Sequence, residues 1–314
     1  MSDRPRSRTN SLVPAAPDVG RHLEELSRSF HYESSIGVDP VAFVHRFSAD
    51  PKAAEIMGIY ASTIAVGNVL SIRRNLEELL RVMGGDPRGF VEGFPRRRWR
   101  TQLGAWKHRW IRAEQMGFLA VRLGEVYENY PGGLEEVFLD DQEGALTPDY
   151  FPSGLDALSR ALRWGSTDLR HTFYEPPPGY LHLFPSPRGL GSAPVCKRLS
   201  LFARWMVRTG APDLGLWKRV PPSILHVPLD THVYWISYHI GLTRRKTRTW
   251  RTVEEITAAL RRWDPVDPVR FDFALAHTGI SGDCPKKPLL SVCGKCALRP
   301  DCDLWVRRAP RRAG

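Results

Sequence analysis

The chain has 314 residues, enough to bury one large core or two modest ones. It carries no apolar run of membrane-spanning length and no secretory leader, so membrane and secreted classes are excluded and a cytoplasmic, nucleoid-associated monomer is the expectation. Lys and Arg outnumber Asp and Glu by 45 to 34, a formal charge of +11, which points to a polyanionic partner, most simply nucleic acid.

In chain order, residues 1–20 are polar, basic and Pro-rich, and a disordered tail is expected there. Leu23, Leu26 and Phe30 at helical spacing predict a helix over 21–30, and Asp39-Pro40 reads as a helix start. One or two long apolar helices are predicted over 53–83, closed by Gly84-Gly85, with further helices over 113–129 and 153–163. The stretch 174–191 is rich in Pro and Gly and must be irregular; it delivers the chain to an apolar helix from Lys197 to Val207. Asp230 can cap a helix over 231–240, Thr252 and Glu255 suggest a capping box for the next, and Asp267-Pro268 another start. Strand-type alternation is nearly absent, so the fold class is all-α. The expected divisions are a tail at 1–20, a helical domain at 21–280, and a metal loop with a basic tail at 281–314.

The metal loop rests on Cys284, Cys293, Cys296 and Cys302, spaced C-x8-C-x2-C-x5-C, with Cys196 the only other cysteine. Four thiolates this close suit an iron–sulfur cluster or a four-sulfur zinc; a disulfide framework is the weaker alternative because nothing marks secretion. Cations also alternate with indoles three times. Arg96-Arg97-Arg98-Trp99-Arg100 and Trp106-Lys107-His108-Arg109-Trp110 come first, and the run Arg244-Arg245-Lys246-Thr247-Arg248-Thr249-Trp250-Arg251 follows. Such runs can hold phosphates while the rings stack on bases, or be solvated helix faces with half-buried rings.

Two residues could carry a reaction. Lys197 begins its helix, where the positive end of the macrodipole and partial burial both lower an amine's pKa and leave it nucleophilic. Asp230, in Val227-Pro228-Leu229-Asp230-Thr231-His232-Val233, would be held ionised by helix N–H groups and could face a developing cation. Each alone is more simply a helix-start residue.

Together, Cys196-Lys197-Arg198 entering an apolar helix, and the Pro228-Leu229-Asp230-Thr231-His232 segment, resemble the helix-hairpin-helix DNA glycosylases. The Lys197-to-Asp230 spacing is similar to that of the archaeal 8-oxoguanine glycosylase branch. Arg204-Trp205-Met206-Val207-Arg208 and Phe271-Asp272-Phe273-Ala274-Leu275 resemble a bacterial branch related to it. The cysteine tail looks like the iron–sulfur loop of endonuclease III. The usual hairpin is absent, with Gly189-Leu190-Gly191 a rough stand-in, and the first cysteine gap is longer than in endonuclease III.

The resemblance implies a two-lobed helical fold around a base pocket, a 4Fe–4S cluster (zinc as the alternative), and double-stranded DNA carrying a damaged base as partner. It implies excision of an oxidised purine, 8-oxoguanine foremost, by glycosylase and AP lyase chemistry. Lys197 would form a Schiff base at C1′ and Asp230 would stabilise the sugar cation. Asn68, set in an apolar helix, and Asp272 are candidate base readers, the latter equally an arginine's partner. Arg97, Arg98, Lys107, Arg198, Arg244, Arg245 and Lys246 are candidate DNA contacts. A monofunctional glycosylase for another base and a non-catalytic DNA-binding protein with a structural metal loop are the alternatives.

Overall fold

A computed structural model describes residues 18–308 except 141, 166–173, 189–192 and 286. Fifteen α-helices are found among the described residues: α1 (Val19–Ser29), α2 (Tyr32–Ile36), α3 (Val41–His45), α4 (Pro51–Ile64), α5 (Val69–Val82), α6 (Pro87–Glu92), α7 (Ala113–Asn129), α8 (Gly133–Phe138), α9 (Phe151–Trp164), α10 (Lys197–Val207), α11 (Thr231–His239), α12 (Trp250–Arg261), α13 (Asp272–Ile280), α14 (Leu290–Cys293) and α15 (Asp303–Arg308). The described strands are two-residue pieces: β1 (Lys107–His108) pairs antiparallel with β2 (Ile111–Arg112), and β3 (Thr209–Gly210) with β4 (Asp213–Leu214). The chain is mostly helical, as its pattern predicts.

α4 is the central helix. Asp50 caps it, its Oδ1 accepting from the N–H groups of Lys52 and Ala53 at 3.1 Å, and Pro51 fits the first turn because it has no N–H to satisfy. Ala53 through Ile64 are all buried, so α4 is packed on every side, among others by α3, α6 and α10. α7, nearly as buried, lies between α6 and α9, while α11 packs along α13. The buried apolar side chains form one continuous cluster from Val19 to Leu298.

The apolar run over 53–83 is two helices. Asn68 has extended backbone and its Oδ1 accepts from Leu70 and Ser71 N–H at 3.0 and 3.2 Å, so it ends the break at 65–68 and starts α5. Two other expected starts shift. The box before α12 is formed by Thr249, whose N–H donates to Thr252 Oγ1 at 3.5 Å, while Glu255 pairs with Arg245 at 2.7 Å. Asp267-Pro268 opens a turn, and α13 begins at Asp272. Gly20 and Val19 already belong to α1, where any Cβ on Gly20 would fall 2.1 Å from Trp263 Cδ1; residues 1–17 of the expected tail lie outside the described residues.

Candidate active site and cysteine module

The C-terminus of α4 leaves carbonyls without intrahelical partners, and basic side chains take them up. Arg198 Nε donates to Thr63 O at 2.9 Å, Lys197 Nζ to Ala65 O at 2.9 Å, and His108 Nε2 meets Val66 O at 3.0 Å. The other His108 nitrogen faces Asn75 Nδ2 at 2.7 Å, which fixes a neutral ring, and burial pushes its pKa down accordingly. The break at 65–68 thus joins α4, the β1–β2 hairpin and the start of α10 at one place. Gly67 makes this fit possible: its φ is +111°, and a Cβ there would lie 2.7 Å from Arg109 Nη1.

Lys197 is half-exposed as a residue, but its amine is drawn inward. Burial lowers its pKa; Asp230, Asp39 and Asp272 oppose that shift in descending order, and Arg198 adds to it. These three carboxylates sit at the starts of α11, α3 and α13. Asp230 caps α11, its Oδ1 accepting from His232 and Val233 N–H at 2.8 Å. Asp39 Oδ1 accepts from Val41 N–H at 2.9 Å, and its other oxygen meets His277 Nε2 at 3.1 Å. The sequence reading took Asp39 only as a helix cap; its pairing with His277, 238 residues away, is a tertiary fact. Just before Lys197, Cys196 holds a left-handed backbone at φ +48°, strained for a residue with a Cβ, and the strain falls where the chain turns the lysine inward.

Asp272 is buried and ion-paired to Arg204 through Oδ2, while its Oδ1 has no hydrogen-bond partner among the described residues. Burial pushes its pKa up to about 6 against the pull of Arg204. Arg204 Nε also donates to Asp213 Oδ1 at 3.1 Å, and Arg208 links Asp213 to Asp267. Asp272 is therefore an arginine's partner that keeps one oxygen free. Asn68 is a correction: it is exposed and not set within a buried helix, and its side-chain oxygen is engaged in capping α5.

The proposed DNA contacts divide. Arg97, Arg98 and Lys107 are exposed, with no ion pair among the described residues. Arg198 is partly buried on the carbonyls of Thr63, His182 and Leu183, and burial lowers its pKa to about 10; it is a tie within the fold and not a free phosphate contact. Arg244 pairs with Asp303 at 3.2 Å and Arg245 with Glu255, whereas Lys246 has no ion pair among the described residues. The indoles of these runs divide as well. Trp99, Trp106 and Trp250 are buried at 2%, 3% and 5% exposure and belong to the core; Trp110 is 47% exposed. The hairpin stand-in Gly189-Leu190-Gly191 lies outside the described residues.

Cys284, Cys293, Cys296 and Cys302 line one cavity, bordered also by Trp235, Ile236 and His239 of α11 and by Ile240 just after it. One helix therefore carries Asp230 at its start and floors the cysteine cavity at its end. Burial, reinforced by the neighbouring sulfurs, raises the Cys284 thiol to about 12. The segment is fastened to the body by Cys284 N–H to Thr278 O at 2.9 Å, His22 Nδ1 to Asp301 at 2.6 Å and His239 Nδ1 to Asp303 at 2.8 Å. Among the described residues, no three or more His, Cys, Asp or Glu side chains are arranged to hold a metal ion; the four sulfurs border a shared space.

No helix among the described residues is long and apolar enough to cross a membrane. No curated protein and no solved structure matches the chain. Residues 39–281 match a family model described as "Protein of unknown function (DUF2400)"; this region contains Lys197, Asp230, Asp272 and Asp39 and ends before the cysteine module. As the match spans well over half of the 314 residues, the chain belongs to the DUF2400 family.

Proposed function

We propose that the protein is a DNA glycosylase with AP lyase activity, built on the two-lobed helix-hairpin-helix plan and acting on an oxidised purine, 8-oxoguanine foremost. The observation that carries the reading is the Lys197 amine. It is one step inside a strained helix start, bonded to a single carbonyl, lowered in pKa by burial, and in the field of three carboxylates. Arg204 in the same helix holds carboxylates directly and stays a cation, whereas the Lys197 amine meets none, so burial can favour its uncharged, nucleophilic form.

In this reading the damaged nucleotide leaves the stack, and Asp230 stabilises the sugar cation as the N-glycosidic bond breaks. The neutral Lys197 amine adds to C1′, ring opening gives the Schiff base, and loss of a C2′ proton expels the 3′ phosphate. Asp272, whose Oδ1 has no hydrogen-bond partner among the described residues, would accept a hydrogen bond from the base or the amine. Cys284, Cys293, Cys296 and Cys302 would hold a 4Fe–4S cluster, which would cross-link the C-terminal segment to itself beside α11. Sulfurs that border a cavity favour it over a zinc ion, whose ligands must all come within ~2.3 Å of one point. Iron and sulfide in the pure protein would support the cluster, whereas stoichiometric zinc would reverse it.

Borohydride trapping on 8-oxoguanine duplexes tests the enzyme reading. A covalent complex with strand nicking supports it. Base release without trapping would make Lys197 a cap of α4 in a monofunctional glycosylase. No release from any lesion duplex would leave a non-catalytic DNA-binding protein.

A further inference from the structure

The β1–β2 hairpin turns through Arg109 and Trp110 alone, and Trp110 at its tip is 47% exposed. Arg198 Cζ lies over the ring at 5.4 Å, and about half of the residue's surface still meets water. Nor is the tip loose. His108 is pinned between Asn75 Nδ2 at 2.7 Å and Val66 O at 3.0 Å, and Trp106 Nε1 donates to Asn75 O at 3.0 Å. Arg109 completes the turn in a left-handed conformation, φ +56°, against Gly67. The indole is therefore held out on a clamped support.

The segment that carries it, between Glu92 and Glu114, is basic. From Gly93 to Ala113 the chain has seven cations and no Asp or Glu, and among the described residues only Arg96 is paired with a carboxylate, that of Glu128. Arg97, Arg98, Arg100, Lys107, Arg109 and Arg112 are all exposed. We propose that Trp110 is a stacking platform for an unpaired base of a DNA strand, with these cations holding the phosphates on either side of it. The two features fit one partner: phosphates would meet the cations, and a base would offer the ring a flat π face. An acidic protein segment would satisfy the cations and leave the indole uncovered. A fully paired duplex hides its base faces in the stack.

The inference rests on the glycosylase reading only in naming the strand's use. Arg198 Cζ lies 5.4 Å from the Trp110 ring centroid, and Lys197 is the next residue; Ala65 and Val66 accept from Lys197 and His108. A base stacked on Trp110 would therefore neighbour the nucleotide that reaches the Lys197 amine.

The test uses the full-length protein and two duplexes of one sequence, fully paired or carrying a single 2-aminopurine bulge. Affinity is read by anisotropy and stacking by quenching of the 2-aminopurine. Wild type should prefer the bulge and quench it. Trp110→Ala should lose about 5- to 100-fold in affinity for the bulge, the range for removing one base–aromatic stack, with its affinity for the paired duplex and its salt dependence retained. Trp110→Phe should keep most of the preference. Equal losses on both duplexes, an unchanged preference in Trp110→Ala, no DNA binding by wild type, or displacement by RNA of the same sequence would each overturn the proposal. A Trp110-dependent bulge preference supports it even if no lesion is ever excised, an outcome that would sink the enzymatic reading alone. Excision with a Trp110-independent preference would sink this inference alone.

Discussion

α10 carries buried cations of two kinds. Arg204 and Arg208, in its second half and at its end, are locked to Asp213, Asp267 and Asp272. Lys197, at its start, donates to one carbonyl and feels its carboxylates only through space. The surface repeats the contrast. Arg244 and Arg245 pair with Asp303 and Glu255, whereas the cations of 97–112 have no carboxylate partner among the described residues. A cation paired in the folded state holds structure together, and one left without a partner can act on something outside. Counting charges along the chain does not separate the two; the partners do.

The contrast is tested hardest at Lys197. Lys197→Gln should abolish borohydride trapping and strand nicking, while thermal stability changes by no more than about 1 kcal/mol, since a single hydrogen bond to Ala65 O is lost or replaced. A trapped complex in Lys197→Gln would mean that another amine is the nucleophile. Arg204→Met should behave in the opposite way. Removing one partner of a buried ion pair leaves Asp272 uncompensated and Asp213 with Arg208 alone, a cost of about 3–5 kcal/mol in denaturant titration. If Arg204→Met is as mild as Lys197→Gln in stability, the distinction between the two halves of α10 fails.

At the surface the effect is smaller and is read against salt. Replacing Arg97, Arg98 and Lys107 together by Ala should lower the slope of log K against log salt by about 2.7, at roughly 0.9 for each phosphate contact. Replacing Arg244 and Arg245 should leave that slope unchanged and instead loosen the C-terminal segment, which Arg244 ties down through Asp303. Equal slope changes in the two variants would show that ion pairing in the free protein does not decide which cations meet DNA.

What was legible in the sequence is what is local. The limits of α10, the cap of α11 by Asp230 and the stop of α5 at Gly84-Gly85 follow from nearest-neighbour chemistry, and the structure has them there. The break at 65–68 was signalled by Gly67-Asn68 but hidden by apolar residues on both sides, so Asn68 read as a buried amide when it is an exposed cap. Burial of Trp99, Trp106 and Trp250, the Arg204–Asp272 pair and the Asp39–His277 pair depend on elements far apart in the chain. No local pattern distinguishes an indole that fills a core from one that meets a base.

The smallest expected effect is a displacement in pH, and its sign is fixed by the field around Lys197. The neutral amine is the nucleophile, so trapping on a preformed abasic site should rise with pH and level off above the amine's pKa. Burial already places that pKa below the ordinary lysine value, and the negative charge of Asp230 is the largest influence holding it up. Asp230→Asn keeps the cap, because Asn accepts from the same N–H groups, but removes the charge. The midpoint of the pH profile should therefore move to lower pH, while release of an intact damaged base, which needs the charge beside the sugar cation, is lost. Abasic DNA separates the two effects because its glycosidic bond is already broken. An unmoved midpoint, or one moved to higher pH, would show that the Lys197 amine does not sit in the field of Asp230 when it reacts.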